Sequence, residues 1–175
     1  IRICLVGSEM CIRDRGVSVQ VNMGSPTEAD MIERLGIISS DTNYLDVPLL
    51  GMIYPRGENL SIMDGDVTEG AAHAARLAFE LGCQVVKTKW TGSIESFRKV
   101  TNSVPIPVLI AGGPAGSSTE DILQIVYDSM QAGGGGVCMG RQVFSHENPE
   151  SMVSALKMIV HNGSEVSEAM KKCGL

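Results

Sequence analysis

Val85-Val86-Lys87-Thr88-Lys89-Trp90-Thr91-Gly92 is a short apolar run that stops at a lysine and continues into polar and small residues. Read as a buried strand beginning near Cys83, it sets Lys87 at the strand's carboxyl end, where parallel α/β sheets gather their ligands. A strand-end lysine commonly does no more than carry its ammonium to water on an apolar stem. What surrounds Lys87 therefore matters. Lys89 follows two residues later, and alternate residues of a strand point to one side. A neighbouring cation favours the neutral form of an amine, as partial burial does, and the neutral amine is the form that attacks a ketone.

The pattern of apolar strand followed by helix repeats in both directions. Upstream, 17–22 alternates as a strand, and Ser25 as N-cap with Pro26 at the first helical position starts a helix carrying Ala29, Ile32 and Leu35. The continuous apolar run 48–54 is a second strand, stopped by Pro55-Arg56-Gly57. A helix over 67–81 offers the small face Ala71, Ala74, Ala75 and Ala78 to a sheet and ends at Gly82. Downstream come a helix over 93–102, a strand over 107–111, a helix over 119–131 and a strand over 136–139. Helices near 149–160 and 165–172 close the chain.

Five strands thus begin near residues 17, 48, 84, 107 and 136, each followed by a helix. Strands that are apolar on both faces and alternate with helices imply a parallel sheet with right-handed crossovers. Such a sheet is doubly wound or part of a barrel. No GxGxxG or GxxxxGK[ST] loop is present, which counts against the nucleotide-binding doubly wound forms. Against the roughly 250 residues of a complete (βα)8 TIM barrel, five units amount to an incomplete one, lacking about three.

The chain has 175 residues, 43% of them hydrophobic, enough for one sizeable core and so a single domain. A net charge of −6 without a Lys/Arg cluster argues against nucleic acid or an anionic membrane as partner. No apolar run approaches the roughly eighteen residues of a membrane span, and the start lacks the pattern of a signal peptide, so a cytoplasmic location is expected. Five scattered cysteines fit neither a disulfide framework nor a zinc site, and Cys83 and Cys138 read as small core residues. His73, His146 and His161 have no metal-ligand spacing, so no metal and no cofactor are expected.

Residues 1–15 do not share this rhythm. The string Glu9-Met10-Cys11-Ile12-Arg13-Asp14-Arg15 resembles a translated sequencing adaptor, so 1–15 are expected to be a non-native leader on a front-truncated gene, and 16–175 the domain itself.

Polar and glycine signals collect just after the strands: Asn22-Met23-Gly24-Ser25, Tyr54-Pro55-Arg56-Gly57, Lys87-Thr88-Lys89, Gly112-Gly113-Pro114 and Gly140-Arg141. In a barrel all of them face one rim. Tyr54 and Lys87 end adjacent strands, about 4.8 Å apart, so their side chains can meet over one substrate, with Tyr54 moving the proton. Gly112, Gly113, Gly140 and Arg141 end the last two strands, where barrels commonly bind phosphate through glycine-exposed N–H groups and an arginine. Turn chemistry alone is the competing explanation for the glycine pairs.

Four blocks carry a resemblance: Tyr-Pro-Arg-Gly at 54–57, Val-Val-Lys-Thr-Lys-Trp-Thr-Gly at 85–92, Ile-Ala-Gly-Gly-Pro at 110–114 and Gly-Val-Cys-Met-Gly-Arg-Gln-Val-Phe at 136–144. In this order they resemble the archaeal-type class I (Schiff-base) aldolases. That family includes fructose-bisphosphate aldolase, aminodideoxy-heptulosonate synthase and the thiolase acting on the phosphorylated autoinducer-2 product. The resemblance implies a (βα)8 barrel of which this chain holds about strands 4 to 8, with Lys87 forming the Schiff base and Tyr54 as acid/base. Lys87 rather than Lys89 is indicated because family members can carry another residue at the second position, which leaves Lys89 to modulate the amine. Gly112, Gly113, Gly140 and Arg141 match the family's phosphate grip.

The expected reaction is cleavage or formation of a carbon–carbon bond in a small phosphorylated sugar, first of all fructose 1,6-bisphosphate, by a homo-oligomer when full length. The synthase and thiolase reactions are the alternatives, and a non-catalytic phosphate-binding barrel is the rival of another class. Met52 stands where some fructose-bisphosphate members carry tryptophan, Ala115 replaces a frequent lysine, and the loop after Gly57 is slightly longer. The C-terminal block through Met152, Ile159 and His161 is similar to the thiolase branch. The aspartate of the family's first strand has no counterpart in this chain. The departures at Met52, at Ala115 and in the loop after Gly57 bear on the substrate rather than on imine chemistry.

Overall fold

Five parallel strands form one sheet in chain order: β1 (Val17–Met23), β2 (Leu49–Pro55), β3 (Val85–Thr88), β4 (Val108–Ala111) and β5 (Gly136–Cys138). The computed structural model describes residues 16–60, 67–112 and 117–175. The leader expected at 1–15, Gly113 and Ala115 lie outside these. The helices are α1 (Glu28–Tyr44), α2 (Thr68–Glu80), α3 (Ile94–Thr101), α4 (Thr119–Gln131), the short α5 (Arg141–Phe144), α6 (Pro149–Asn162) and α7 (Val166–Cys173). Order and direction follow from the repeated βα unit, since each right-handed crossover returns the chain to the next position in the same sheet.

Register divides the sheet into two unlike faces. Val21 pairs with Ile53, Gly51 with Val86, Val86 with Val108 and Thr88 with Ile110, so these residues share one side. That side is buried, in one core with Leu35, Ala71, Ala74, Ala75, Ala78, Phe97, Leu123 and Val126 of the helices. The four alanines form one face of α2, which packs on β2 and β3 at close range because none carries more than a methyl group. Cys83 lies 3% exposed in the same layer, and burial pushes its thiol up to about 11, which makes it a core group rather than a nucleophile. Cys138, by contrast, is half-buried on the other face.

Local sequence accounts for most helix ends. Ser93 and Ser96 close a reciprocal capping box on α3, and Ser118 with Asp121 does the same on α4. α6 begins with Pro149 behind an Asn148 cap and ends at Gly163 with φ 67°. The start of α1 differs from expectation. The helix begins at Glu28, because Ser25 and Pro26 belong to a turn in which Ser25 O accepts from Glu28 N–H at 3.0 Å. Ser25 Oγ accepts from Thr27 N–H at 3.3 Å within this turn, and the Glu28 carboxylate reaches back to accept from Gly24 N–H at 3.0 Å.

One buried polar atom among the described residues has no partner. Thr88 Oγ1 points into the helix-side layer, directly behind the strand that carries Lys87. A buried hydroxyl without a hydrogen bond is destabilising, whereas valine fills the same volume without the desolvation penalty. Thr88→Val is therefore expected to stabilise the fold by about 1 kcal/mol, read as a higher urea midpoint at unchanged slope.

Candidate active site

The second face of the sheet carries the residues singled out in the sequence. Lys87 lies in β3, paired with Met52 of β2 and Leu109 of β4, and is half-buried. Tyr54 lies two residues beyond Met52 on β2, hence on the same face, one strand over and one pleat nearer the carboxyl end. Diagonal neighbours of this kind are roughly 7–8 Å apart at the backbone, within reach of a lysine and a tyrosine. The Arg56 guanidinium stands 5.6 Å from the centroid of the Tyr54 ring, a cation over its face.

β3 ends at Thr88, so Lys89 belongs to the loop that follows. It lines a cleft of ≈530 Å³ together with Val67, Trp90, Thr91, Gly92, Ala111, Gly112 and Ile125. Trp90 is held by Phe97 of α3, ring centroids 5.1 Å apart. Lys87, Tyr54, Gly140 and Arg141 are not among the residues lining this cleft. The sheet face therefore brings Lys87 and Tyr54 together, whereas the cleft brings together Lys89 and Gly112.

The loops after β4 and β5 are tied to each other. The side-chain amide of Gln142 in α5 lies where a Cβ at Gly112 would stand, so a larger residue there would make that amide swing aside. His146, just past α5, has its Nδ1 facing Asn148 N–H at 3.0 Å and its Nε2 2.9 Å from Thr119 Oγ1 at the start of α4. Nδ1 is also 3.0 Å from the Asn148 carbonyl oxygen, so either tautomer of the ring finds a partner at both nitrogens. Gly140 precedes α5 and Arg141 is its first residue, exposed to solvent. The four-residue helix was not foreseen, since so short a stretch shows no helical period.

Asn22 was noted only as a residue after a strand. It pairs in register with Tyr54, on the face that carries Lys87, and its Oδ1 accepts from Gln20 Nε2 at 3.1 Å. The signal was present in the alternation Ser18, Gln20, Asn22 against Val17, Val19, Val21. Among the described residues no group of His, Cys, Asp and Glu is placed to hold a metal ion, and no helix is long and apolar enough to cross a membrane.

Comparison with known proteins identifies the family. The model of the DeoC/LacD family aldolases matches residues 15–146. The 2-amino-3,7-dideoxy-D-threo-hept-6-ulosonate synthase of Halobacterium salinarum is 41% identical over 160 residues, which cover 91% of this chain and 58% of that protein. The 2-amino-4,5-dihydroxy-6-oxo-7-(phosphonooxy)heptanoate synthase of Streptomyces griseus is 36% identical over 158 residues, covering 90% and 57%. A solved structure of a Schiff-base-forming fructose-1,6-bisphosphate aldolase superposes with a TM-score of 0.79 at 31% identity, over 87% of this chain and 60% of the other. The chain thus spans less than two thirds of the length of each of these relatives. On the family match, the shared parallel α/β architecture and the ordered motifs at the strand ends, the chain belongs to the DeoC/LacD family of aldolases.

Proposed function

We propose that the protein makes or breaks a carbon–carbon bond through an imine on Lys87, with dihydroxyacetone phosphate as the ketone half and an amino-acid aldehyde as the acceptor. The observation that carries this is the projection of Lys87 and Tyr54 from adjacent parallel strands onto one half-buried face. The Lys87 amine attacks the ketone and the carbinolamine hydroxyl leaves to give an iminium; the next carbon then gives up a proton, which Tyr54 relays to the departing hydroxide to complete the water, and the resulting enamine is the carbanion equivalent. That carbon attacks the acceptor aldehyde while the Tyr54 hydroxyl gives its proton to the developing alkoxide. Water then hydrolyses the imine and returns the amine. Gly112, Gly113, Gly140 and Arg141 hold the ketone's phosphate, and Lys89 adds a cation on that side. The fold similarity to barrel aldolases supports reading the five strands as the fourth to eighth of a (βα)8 barrel.

The curated relatives favour a synthase over fructose-bisphosphate cleavage. The product named for the Streptomyces griseus relative carries an amino group at C2, a ketone at C6 and a phosphate at C7. An aldol bond lies between the carbons α and β to the ketone, here C5 and C4. Disconnection there gives dihydroxyacetone phosphate and 2-amino-4-oxobutanoate. The Halobacterium relative's product has the same amino-acid half but, being 7-deoxy, ends its ketone half in a methyl group instead of a phosphate-bearing carbon, so it supports the acceptor and not the donor. Fructose 1,6-bisphosphate shares the donor half and differs in its acceptor, and the likeness to the solved aldolase supports it as the second reading.

Given dihydroxyacetone phosphate and 2-amino-4-oxobutanoate, the full-length protein is expected to form the amino-oxo-heptanoate, identified by mass. It is expected to cleave fructose 1,6-bisphosphate at least about ten-fold less efficiently in kcat/KM. Equal or faster cleavage would move the assignment to the sugar bisphosphate.

A further inference from the structure

We infer that Asn22, oriented by Gln20, selects the acceptor half of the substrate by hydrogen-bonding a polar group beyond the carbonyl on which Tyr54 acts. This rests on the Schiff-base reading of Lys87 and deepens it.

Strand order lays out the substrate. Across the carboxyl ends run Asn22 on β1, Tyr54 on β2, Lys87 on β3, then Gly112 after β4 and Arg141 after β5. With the ketone carbon on Lys87 and its phosphate directed toward the loops after β4 and β5, the rest of the carbon chain leaves in the opposite direction. It passes Tyr54, where the aldol oxygen lies, and reaches β1 one strand spacing of about 4.8 Å further, the length of a few carbon atoms. Whatever the acceptor carries beyond its carbonyl meets β1.

The chemistry of β1 differs from that of its neighbours. On this face β2 presents Leu50 and Met52 below Tyr54, and β4 presents Leu109 and Ala111, whereas β1 presents Ser18, Gln20 and Asn22. Contact with solvent is reason enough for Ser18 and Gln20, which are exposed, but not for Asn22, which is half-buried beside Tyr54. The hydrogen bond between the Gln20 and Asn22 side-chain amides, 3.1 Å long, holds the Asn22 side chain in place whichever of the two donates. It uses one polar atom of the Asn22 amide and leaves the other to meet a ligand. A neutral amide of this kind suits a hydroxyl, an amine or one edge of a carboxylate. A phosphate, the acceptor substituent in the sugar bisphosphate, would instead call on a cation, and the Arg56 guanidinium 5.6 Å from the Tyr54 ring is the group at this end that could meet it.

The test separates the two halves of the substrate. Borohydride trapping with dihydroxyacetone phosphate alone reads the donor half, and kcat/KM for 2-amino-4-oxobutanoate and for glyceraldehyde 3-phosphate reads the acceptor half. Asn22→Leu is expected to lower kcat/KM for 2-amino-4-oxobutanoate roughly ten- to hundred-fold, with half-saturation of trapping within about two-fold of the wild type. Gln20→Leu is expected to lower it several-fold, and to have no effect once Asn22 is already leucine, because Gln20 acts only through Asn22. Asn22→Ser, with a shorter hydrogen-bonding group, is made alongside. If both Asn22 variants trap normally and keep the wild-type acceptor preference, or if both lose trapping, the assignment to the acceptor half is overturned. Absence of trapping in the wild-type protein would instead overturn the Schiff-base reading itself.

Discussion

Lys87→Ala is expected to abolish both turnover and covalent capture of substrate. With dihydroxyacetone phosphate and borohydride, the wild-type protein should gain one ketone-derived adduct, and the modified peptide should be the one containing Lys87. The alanine variant should gain none, and its aldol activity should fall by about four to six orders of magnitude, the scale seen when a covalent nucleophile is removed. Lys87→Arg separates charge from chemistry, since a guanidinium keeps the positive charge and does not form the imine. It should be as inactive as alanine. An adduct on Lys89 would move the imine to the loop after β3, where the ≈530 Å³ cleft lies. Persistent activity in the alanine variant would remove the imine altogether. The expectation has a geometric base: Lys87 is within β3 and so has a fixed direction toward Tyr54, whereas Lys89 lies past the strand's end.

Gly57→Ala is expected to have the largest effect on stability. An added Cβ would overlap the carbonyl carbon and oxygen of Gly24 and the nitrogen of Ser25. All three are backbone atoms, so no side chain can swing aside to make room. The two loops are also bonded to each other, through Arg56 N–H to Met23 O and Asn59 N–H to Gly24 O, each 3.0 Å. Separating them breaks these bonds, and keeping them forces a steric overlap. A loss of about 3 kcal/mol follows, seen as a lower urea midpoint. Because the same loops follow the strands of Asn22 and Tyr54, any folded fraction should lose aldol activity more than it loses trapping at Lys87. An unchanged midpoint would mean that the loops after β1 and β2 are not in contact in solution.

Much of the fold was legible because the βα repeat is written in local signals. Apolar runs of strand length, alanines at helical spacing and serine caps each act over a few residues, and the helix Thr119–Gln131 was bounded as observed. Where another group intervened, local signals failed. The Glu28 carboxylate turning back to Gly24 moved the start of α1, and four residues were too few to reveal α5. Lys87, Tyr54 and the glycines of the rim stood out as candidates because each interrupts an apolar pattern at the end of a strand. Asn22 interrupts nothing, since a polar residue at an alternating position is ordinary in a strand.

By itself, then, the sequence determined the kind of fold and the direction and order of the strands, and it placed Lys87 and Tyr54 at the ends of neighbouring strands. These follow from hydrophobic periodicity, from the handedness of parallel crossovers and from residue types at strand ends, all of which operate along the chain. Only the tertiary structure decided the register. It set Asn22 beside Tyr54, separated Lys89 from Lys87 by the end of β3, and pressed Gln142 onto Gly112. Register depends on how side chains from distant segments fit into one core, and a shift of one residue would turn every side chain of a strand to the other face.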